Sequence, residues 1–470
     1  MIPVLQSRWA VRDKYLIYYG LRKQPDTFKS KIKISSRTAA FIKSLDGTRT
    51  LEDYTEHKIT FAIKRLIKQK IIIDVTDKSI IPSSFDDASF CVRCPANNFV
   101  IPGLELNSEG LCPICTTFPS IKNLGSVLPV KNIIPPTPTA RFDVALFYTG
   151  GKDSSYLLYY LSRVLGLRVM ALTWKHPYMS DNALKSIANA KELLPEVTFV
   201  VREASPTALK KIYSKCYELQ ENTCICPSVA YVLFFPLLLE NPVPYLVLGN
   251  EPAQSKALIL NRLVPKILYR PTVKKALRLA VNIGRVFMLR KTFREGQLEM
   301  YITVKNLAFR KNSILKKLGY KNEVMDNLVA SLAEAGEMLI PLQYAVQKSK
   351  KGGDIPALVH IDFDELSETG SYDWRSIKRL LTSELGWVDS AQEDKGLHTS
   401  CGIERCKEYS QLTRFREMKS GIIPFSALEL SLAVLQGSLT REQAIDEMKK
   451  HCGFSEFPKK ENRIMTDFFK

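Results

Sequence analysis

Asp143-Val144-Ala145-Leu146-Phe147-Tyr148-Thr149-Gly150-Gly151-Lys152-Asp153-Ser154-Ser155 is the stretch on which the reading of this chain turns. Its first part is a short apolar run of buried-strand type. From Tyr156 through Leu157, Leu158 and Leu161 the apolar spacing becomes helical. A Gly-Gly pair at a strand-to-helix turn lets the backbone approach a ligand closely with its amide hydrogens exposed. The helix start behind it carries partial positive charge, and Thr149, Ser154 and Ser155 add hydroxyls. Such a combination binds phosphate. It is not a Walker loop, because Gly-x4-Gly-Lys-Ser/Thr is absent.

Around this turn, strand and helix patterns alternate. Strands are predicted at 143–148, 168–174, 197–202 and 244–249, with helices at 153–165, 181–194 and 206–219 between them. The alternation predicts an α/β domain with a doubly wound parallel sheet. Ligands in such sheets bind at the carboxyl ends of strands, where the Gly-Gly turn lies. A further strand is expected within 358–363, and one amphipathic helix over 426–450 with a capping-box turn at Leu439 to Glu442.

Thr149-Gly150-Gly151-Lys152-Asp153-Ser154 resembles the pyrophosphate loop of the N-type ATP pyrophosphatase superfamily. Those enzymes cleave ATP between its α and β phosphates and adenylate a substrate oxygen. The resemblance implies that Thr149, Gly150, Gly151, Lys152, Asp153, Ser154 and Ser155 cradle ATP, with Lys152 offsetting charge and Asp153 holding Mg²⁺. It also implies nucleotide contacts from Thr173, Gly249 and Asn250.

The chain has 470 residues, ten cysteines and a formal charge of +19. That length allows two to four domains. Arg8, Arg12, Asp13 and Lys14 interrupt any signal-like apolar stretch, and Val229 to Leu239 is too short to span a bilayer. A cytosolic location without a membrane span is expected, so the cysteines are expected as metal ligands or reactive thiols rather than disulfides.

Cys91-x2-Cys94 and Cys112-x2-Cys115, seventeen residues apart, form two knuckles that bring four thiolates around one metal. Soft sulfur without a redox task selects zinc, and four ligands leave no open position, so the site is structural. The spacing marks 88–120 as a zinc ribbon. A proline-rich linker follows, 121–140, then the nucleotide domain, 141–255.

Residues 1–82 form a small module. Strands are expected at Val11–Tyr19 and Thr27–Ile34, then a helix from Ser35-Ser36 to Leu45 and another over His57–Lys70. The cadence from Ser36 to Asp53 resembles the winged-helix-like peptide-binding module of pyrroloquinoline quinone biosynthesis and of ribosomal-peptide modifying enzymes.

From Lys256 to Lys321, seventeen Lys or Arg face two acids, Glu295 and Glu299. This basic helical segment, 256–345, suits RNA, an acidic peptide or an anionic surface, or else is simply a solvated face. The remainder, 346–470, is expected to complete the catalytic domain and end in a helical tail.

Cys224, Cys226, Cys401 and Cys406 form a second group. They are small buried hydrophobes, ligands of a second metal centre or a catalytic persulfide-carrying thiol. The pair Cys224 and Cys226 resembles the cysteine pair of tRNA-thiolating pyrophosphatases, where a third cysteine completes a [4Fe–4S] site. Here the spacing is Cys-x-Cys in place of Cys-x2-Cys, and Cys401 or Cys406 must close the set from far along the chain. By that resemblance Lys152, Asp153, Cys224, Cys226 and Cys401 are the catalytic set. His398, three residues before Cys401, is a candidate for proton transfer.

Residues 90–255 and 398–450 together also resemble the N-acetyl sugar amidotransferases of surface-polysaccharide synthesis. Both resemblances imply ATP-dependent activation of a carbonyl oxygen. The acceptor is a tRNA base, a peptide or a sugar. The incoming atom is sulfur from a sulfur donor, or nitrogen from a partner glutaminase.

Overall fold

A computed structural model describes residues 1–21, 31–77, 81–122, 141–220, 225–249, 251–261, 270–309, 323–352, 354–361, 363, 372–389 and 395–469. The chain divides into two compact units. One comprises Met1–Lys122, Glu408–Leu435 and Thr440–Phe457, and the other comprises Asn123–Lys407, Gln436–Leu439 and Pro458–Lys470. Two stretches of the C-terminal 346–470 segment, Glu408–Leu435 and Thr440–Phe457, thus group with the N-terminal residues, which no local pattern encodes.

In the first unit, β1 (Pro3–Leu5) pairs with β5 (Ile72–Asp74), and β2 (Trp9–Arg12), β3 (Tyr15–Tyr18) and β4 (Lys31–Lys33) form an antiparallel sheet. The expected strand over Val11–Tyr19 is instead a hairpin. Asp13 takes a left-handed backbone (φ 52°), which reverses the chain and sets Arg12 opposite Tyr15. The strand expected at Thr27–Ile34 is described only from residue 31, as β4. Helices Ser36–Ser44 and Phe61–Lys68 start on the side-chain oxygens of Ser35 and Thr60. They close over Trp9, Leu16, Tyr18, Phe41, Ile63 and Leu66. The single helix expected over 426–450 is two, Phe425–Gln436 and Arg441–His451. Gly437, at φ 82°, ends the first, and Thr440 with Gln443 forms the capping box of the second.

The second unit is built on a five-stranded, all-parallel sheet. Its strands are β6 (Val144–Phe147), β7 (Val169–Trp174), β8 (Thr198–Arg202), β9 (Tyr245–Leu248) and β10 (Ala357–His360), in the order β10-β9-β6-β7-β8. The chain runs outward from β6 to β8, then returns to the other side of β6 with β9. The switch point therefore lies between β6 and β9, the position at which sheets of this kind bind ligands beyond the carboxyl ends of their strands. Alternating helices, among them Lys152–Tyr159, Asp181–Leu193, Pro206–Gln220 and Cys226–Glu240, cover the sheet.

The basic segment is helical where described. Helices Gln297–Phe309, Glu323–Ala333 and Gly336–Gly352 supply Leu298, Met300, Val304, Leu332, Leu339 and Leu342 to the main core of this unit. These three helices contribute to its hydrophobic interior. No helix among the described residues is long and apolar enough to cross a membrane.

Candidate functional site

Helix Lys152–Tyr159 begins directly beyond the carboxyl end of the central strand β6. Gly150 sits at φ 71°, and a β-carbon there would stand 2.3 Å from the carbonyl oxygen of Ala183. Both facts require glycine. A β-carbon on Gly151 would come within 3.2 Å of Thr399 and Ser400. Gly249, at the end of β9, lies against Ser154 and the carbonyl of Phe147, so the two strand ends of the switch point meet. Asn250 lies outside the described residues.

The loop is held by its own hydroxyls. Thr149 N–H donates to Ser154 Oγ (3.2 Å), and the Thr149 and Ser154 side-chain oxygens are 3.1 Å apart. Ser154 Oγ also donates to the Gly151 carbonyl, while Ser155 is buried in the first helical turn. Trp387 Nε1 donates to the Gly150 carbonyl at 3.0 Å. Thr173, buried near the end of β7, donates its hydroxyl to the Tyr148 carbonyl at 2.9 Å. It thereby braces the loop from beneath.

Lys152 is completely buried. Its ammonium pairs with Asp153, lies 3.7 Å from Glu251 Oε2 and is 3.4 Å from the Tyr372 hydroxyl. The rings of Tyr372 and Trp374 each sit 4.6 Å from it, so the cation rests between two aromatic faces. Trp374 Nε1 donates to Glu251 Oε2 (3.0 Å), and the Tyr372 hydroxyl donates to Asp153 Oδ1 (2.8 Å). Burial, then the charges of Asp153 and Glu251, push the Tyr372 phenol far above its ordinary pKa, so it stays a donor. A lysine and two carboxylates in one low-dielectric crevice can offset phosphate charge and offer oxygen ligands to a hard cation.

A segment some 250 residues away in sequence completes this crevice. Lys152 N–H, at the helix start, donates to Thr399 Oγ1 at 2.9 Å. Ser180 N–H donates to the Ser400 carbonyl, and Gly402 N–H donates to the Tyr178 carbonyl. Met179 and Cys401 form an isolated antiparallel bridge. His398, which opens the segment, has a left-handed backbone (φ 48°), and its Nε2 lies 3.8 Å from Glu404. Burial works against the Glu404 carboxylate, but His398, Lys407 and Lys395 outweigh it and hold Glu404 below its ordinary pKa.

Cys401 is thereby placed near two other cysteines. Tyr178 and Tyr213 pack with ring centroids 5.1 Å apart, and the Tyr213 hydroxyl lies 3.7 Å from Cys226 Sγ. Burial raises the Tyr178 phenol, and Cys226, Cys401 and Cys406 each push it the same way, so all three lie within electrostatic reach of one ring. Cys406 Sγ donates to Asn462 Oδ1 at 3.7 Å. Among the described residues these three sulfurs do not close to the spacing of a single-ion site. Cys224 lies outside the described residues.

The quartet Cys91, Cys94, Cys112 and Cys115 does close to that spacing, within the first unit. All four sulfurs lie within 4.8 Å of one another. The separations Cys91–Cys115, Cys94–Cys112 and Cys112–Cys115 are 3.6, 3.5 and 3.7 Å. A tetrahedron of metal–sulfur bonds of zinc length has edges of about 3.8 Å, so the group can bind such a metal. Cys112 N–H donates to Cys91 Sγ, and the turn at Gly110 (φ 75°) lies tight against Val92. Hydrogen bonds from Cys112, Cys115 and Cys94 drive the Cys91 thiol down, while the same crowding holds Cys94 and Cys115 protonated. A cation relieves that conflict.

The sequence pattern missed Tyr372, Trp374, Glu251 and Thr399. Glu251 and Thr399 adjoin the residues singled out, at the end of β9 and beside Cys401. Tyr372 and Trp374 carry no sequence signal, since lone aromatics beside a helix start usually serve a core.

No family model and no curated protein matches the chain. Among solved structures it is similar to the U34-tRNA thiolase NcsA from Methanococcus maripaludis with its [4Fe-4S] cluster. That structure is 12% identical, with 76% of this chain and 80% of that chain covered and a TM-score of 0.28. A likeness at that level assigns neither fold nor function.

Proposed function

We propose that the chain is an ATP pyrophosphatase of the pyrophosphate-loop type that adenylates a carbonyl oxygen and then replaces it with sulfur. The observation that carries this reading is the contact of the Thr399–Cys401 segment with the Gly150-Gly151-Lys152 turn. Cys401 follows Thr399 by two residues, so in this reading its thiol lies near the turn where the phosphates of ATP would bind.

In this reading Gly150 to Ser155 cradle the pyrophosphate, Lys152 offsets its charge, and Asp153 with Glu251 offers oxygen to Mg²⁺. Gly249, Asn250 and Thr173 border the nucleotide. The acceptor oxygen attacks the α-phosphorus and pyrophosphate leaves. Incoming sulfur then attacks the activated carbon, and AMP leaves with the original oxygen. The acceptor is a tRNA base or a peptide amide, and the N-terminal module, residues 1–82, is the peptide-binding-like element. The quartet Cys91, Cys94, Cys112 and Cys115 holds a structural zinc ion.

Cys226 and Cys401, with Cys224 or Cys406, would supply the soft thiolate donors that a [4Fe–4S] cluster takes. When bound, the cluster would supply an iron site for carrying sulfur. Tyr178 and Tyr213 would then shield the thiolates from water.

The test is AMP release from ATP and Mg²⁺ with tRNA and with amide peptides as acceptors, on protein purified without oxygen. Wild type is expected to form AMP, and Lys152→Ala and Asp153→Asn to lose at least about a hundredfold. About four irons per chain with acid-labile sulfide, lost in Cys226→Ala or Cys401→Ala, supports sulfur transfer. AMP formation that needs ammonia and no iron shifts the reading to an amidotransferase fed by a glutaminase. Absence of AMP formation with every acceptor and both nucleophiles removes the enzymatic reading.

A further inference from the structure

Helix Pro271–Phe287 is amphipathic in the wrong sense for a core helix. Its polar side faces the protein. Arg285 is buried, its Nε donates to the Lys291 carbonyl (2.6 Å), and its guanidinium lies 3.8 Å from the Phe293 ring. Asn282 clasps the Phe293 backbone, donating from Nδ2 to its carbonyl and accepting its N–H. Arg278 reaches Glu295 at 3.5 Å. Val281 packs against the core from the same side.

The other side carries Leu279, Ile283, Val286 and Phe287, spaced as one helical stripe and all exposed. The stripe continues into the turn that ends the helix, where Met288 and Leu289 project and Leu289 takes a left-handed backbone (φ 53°). Phe287 is 85% and Leu289 96% exposed, and with their neighbours they form a contiguous apolar patch of the kind that marks an interaction surface.

From 270 to 291 there are seven Lys or Arg and no acid. Lys275 is exposed beside the stripe, and Arg290 and Lys291 follow the tip. An apolar stripe rimmed by cations matches a layer whose surface is anionic and whose interior is hydrocarbon. Phe287 and Leu289 project almost wholly clear of the protein, which suits a fluid layer that closes around them better than a fixed protein groove. An RNA partner fits less well, because Arg278 and Arg285 point inward. With 17 residues and this charge the helix lies on such a surface rather than across it.

We propose that Leu279, Ile283, Val286, Phe287, Met288 and Leu289 seat this protein on an anionic lipid surface, with Lys275, Arg290 and Lys291 against the headgroups. The activity would then be delivered at a membrane.

The experiment is vesicle flotation of the full chain with phosphatidylcholine alone and with added phosphatidylglycerol, at low and raised salt. Flotation with the anionic vesicles is expected, weaker with phosphatidylcholine and weakened by salt. Phe287→Ser with Leu289→Ser is expected to lower binding about tenfold or more while leaving the melting temperature unchanged, since neither side chain is packed. Lys275→Glu is expected to cost about fivefold or more on anionic vesicles only. A Phe287→Trp reporter is expected to shift its emission to the blue on binding. No flotation of wild type at low salt overturns the proposal, as does flotation unchanged in the double serine variant. Concentration-dependent dimers abolished by that variant, without vesicle binding, assign the stripe to a second copy and overturn it too. So does tRNA binding lost in the variant without vesicle binding.

Discussion

The backbone N–H of Lys152 donates to the hydroxyl of Thr399 across 247 positions of sequence. The first amides of a helix have no partner within it, so a remote side chain supplies one. The bond holds the 398–402 segment, and with it Cys401, on the Gly150-Gly151-Lys152 turn. Thr399→Val keeps the shape and removes the acceptor. It is expected to cost about 1 kcal/mol in urea denaturation and to slow AMP formation, with Thr399→Ser near wild type. Equal loss in the valine and serine variants would show that packing matters and the hydrogen bond does not.

Lys152 and Glu251 share a crevice without solvent, Lys152 also pairing with Asp153. Removing the cation strands buried carboxylate charge. Lys152→Met is expected to destabilise by about 3–5 kcal/mol. Adding Glu251→Gln should recover part of that loss, because the uncompensated charge is gone. A double-mutant cycle in denaturant measures it, and strictly additive effects would contradict the coupling.

The cysteine quartet is expected to carry about one zinc ion per chain. Cys94→Ser should abolish it and expose the segment around 91–115 to protease, since metal-binding energy is folding energy here. Metal analysis of the purified chain checks the first point and limited proteolysis the second. A metal-free wild type that resists protease equally would leave the quartet as ordinary thiols.

His176 is held down to about 4, mainly by burial and then by Lys407, and His360 likewise to about 4 by burial and Lys274. An unfolded histidine titrates near about 6.5. Between those values the unfolded chain binds more protons, so stability rises with pH across the window and is lost as pH falls from about 6.5 to about 4. Each side chain keeps only partial contact with solvent, so the loss is on the order of 1–2 kcal/mol apiece. Melting temperatures at pH 7 and at pH 4.5 measure it, and His176→Gln should flatten the slope. An unchanged slope in that variant would assign the acid sensitivity elsewhere.

Legibility in the sequence followed the range of the interaction. The five parallel strands fall at or near the predicted positions, because an apolar run between turn residues reports its own burial. The turn at Gly150-Gly151 was legible because glycine is the residue that tolerates both the left-handed backbone and the approach of Ala183. The hairpin at Asp13 was not. A non-glycine residue at φ 52° leaves no mark beyond a short polar side chain. Helix 426–450 was read as one because Gly437 and Thr440 sit within an unbroken helical spacing.

Sequence alone determined the strand, turn and helix at 143–161, the gathering of four thiols at 91–115 and the helical, basic character of the segment that holds helix 271–287. Each rests on spacing between near neighbours, where backbone geometry fixes which side chains can meet. Tertiary structure alone decided that Thr399 caps Lys152, that Tyr372 and Trp374 flank its ammonium, and that Cys226 meets the Tyr213 hydroxyl. It also decided which side of helix 271–287 turns outward. Periodicity reveals that a helix has two faces, but only what packs against it, here Phe293 on Arg285 and Asn282, selects the face that is buried.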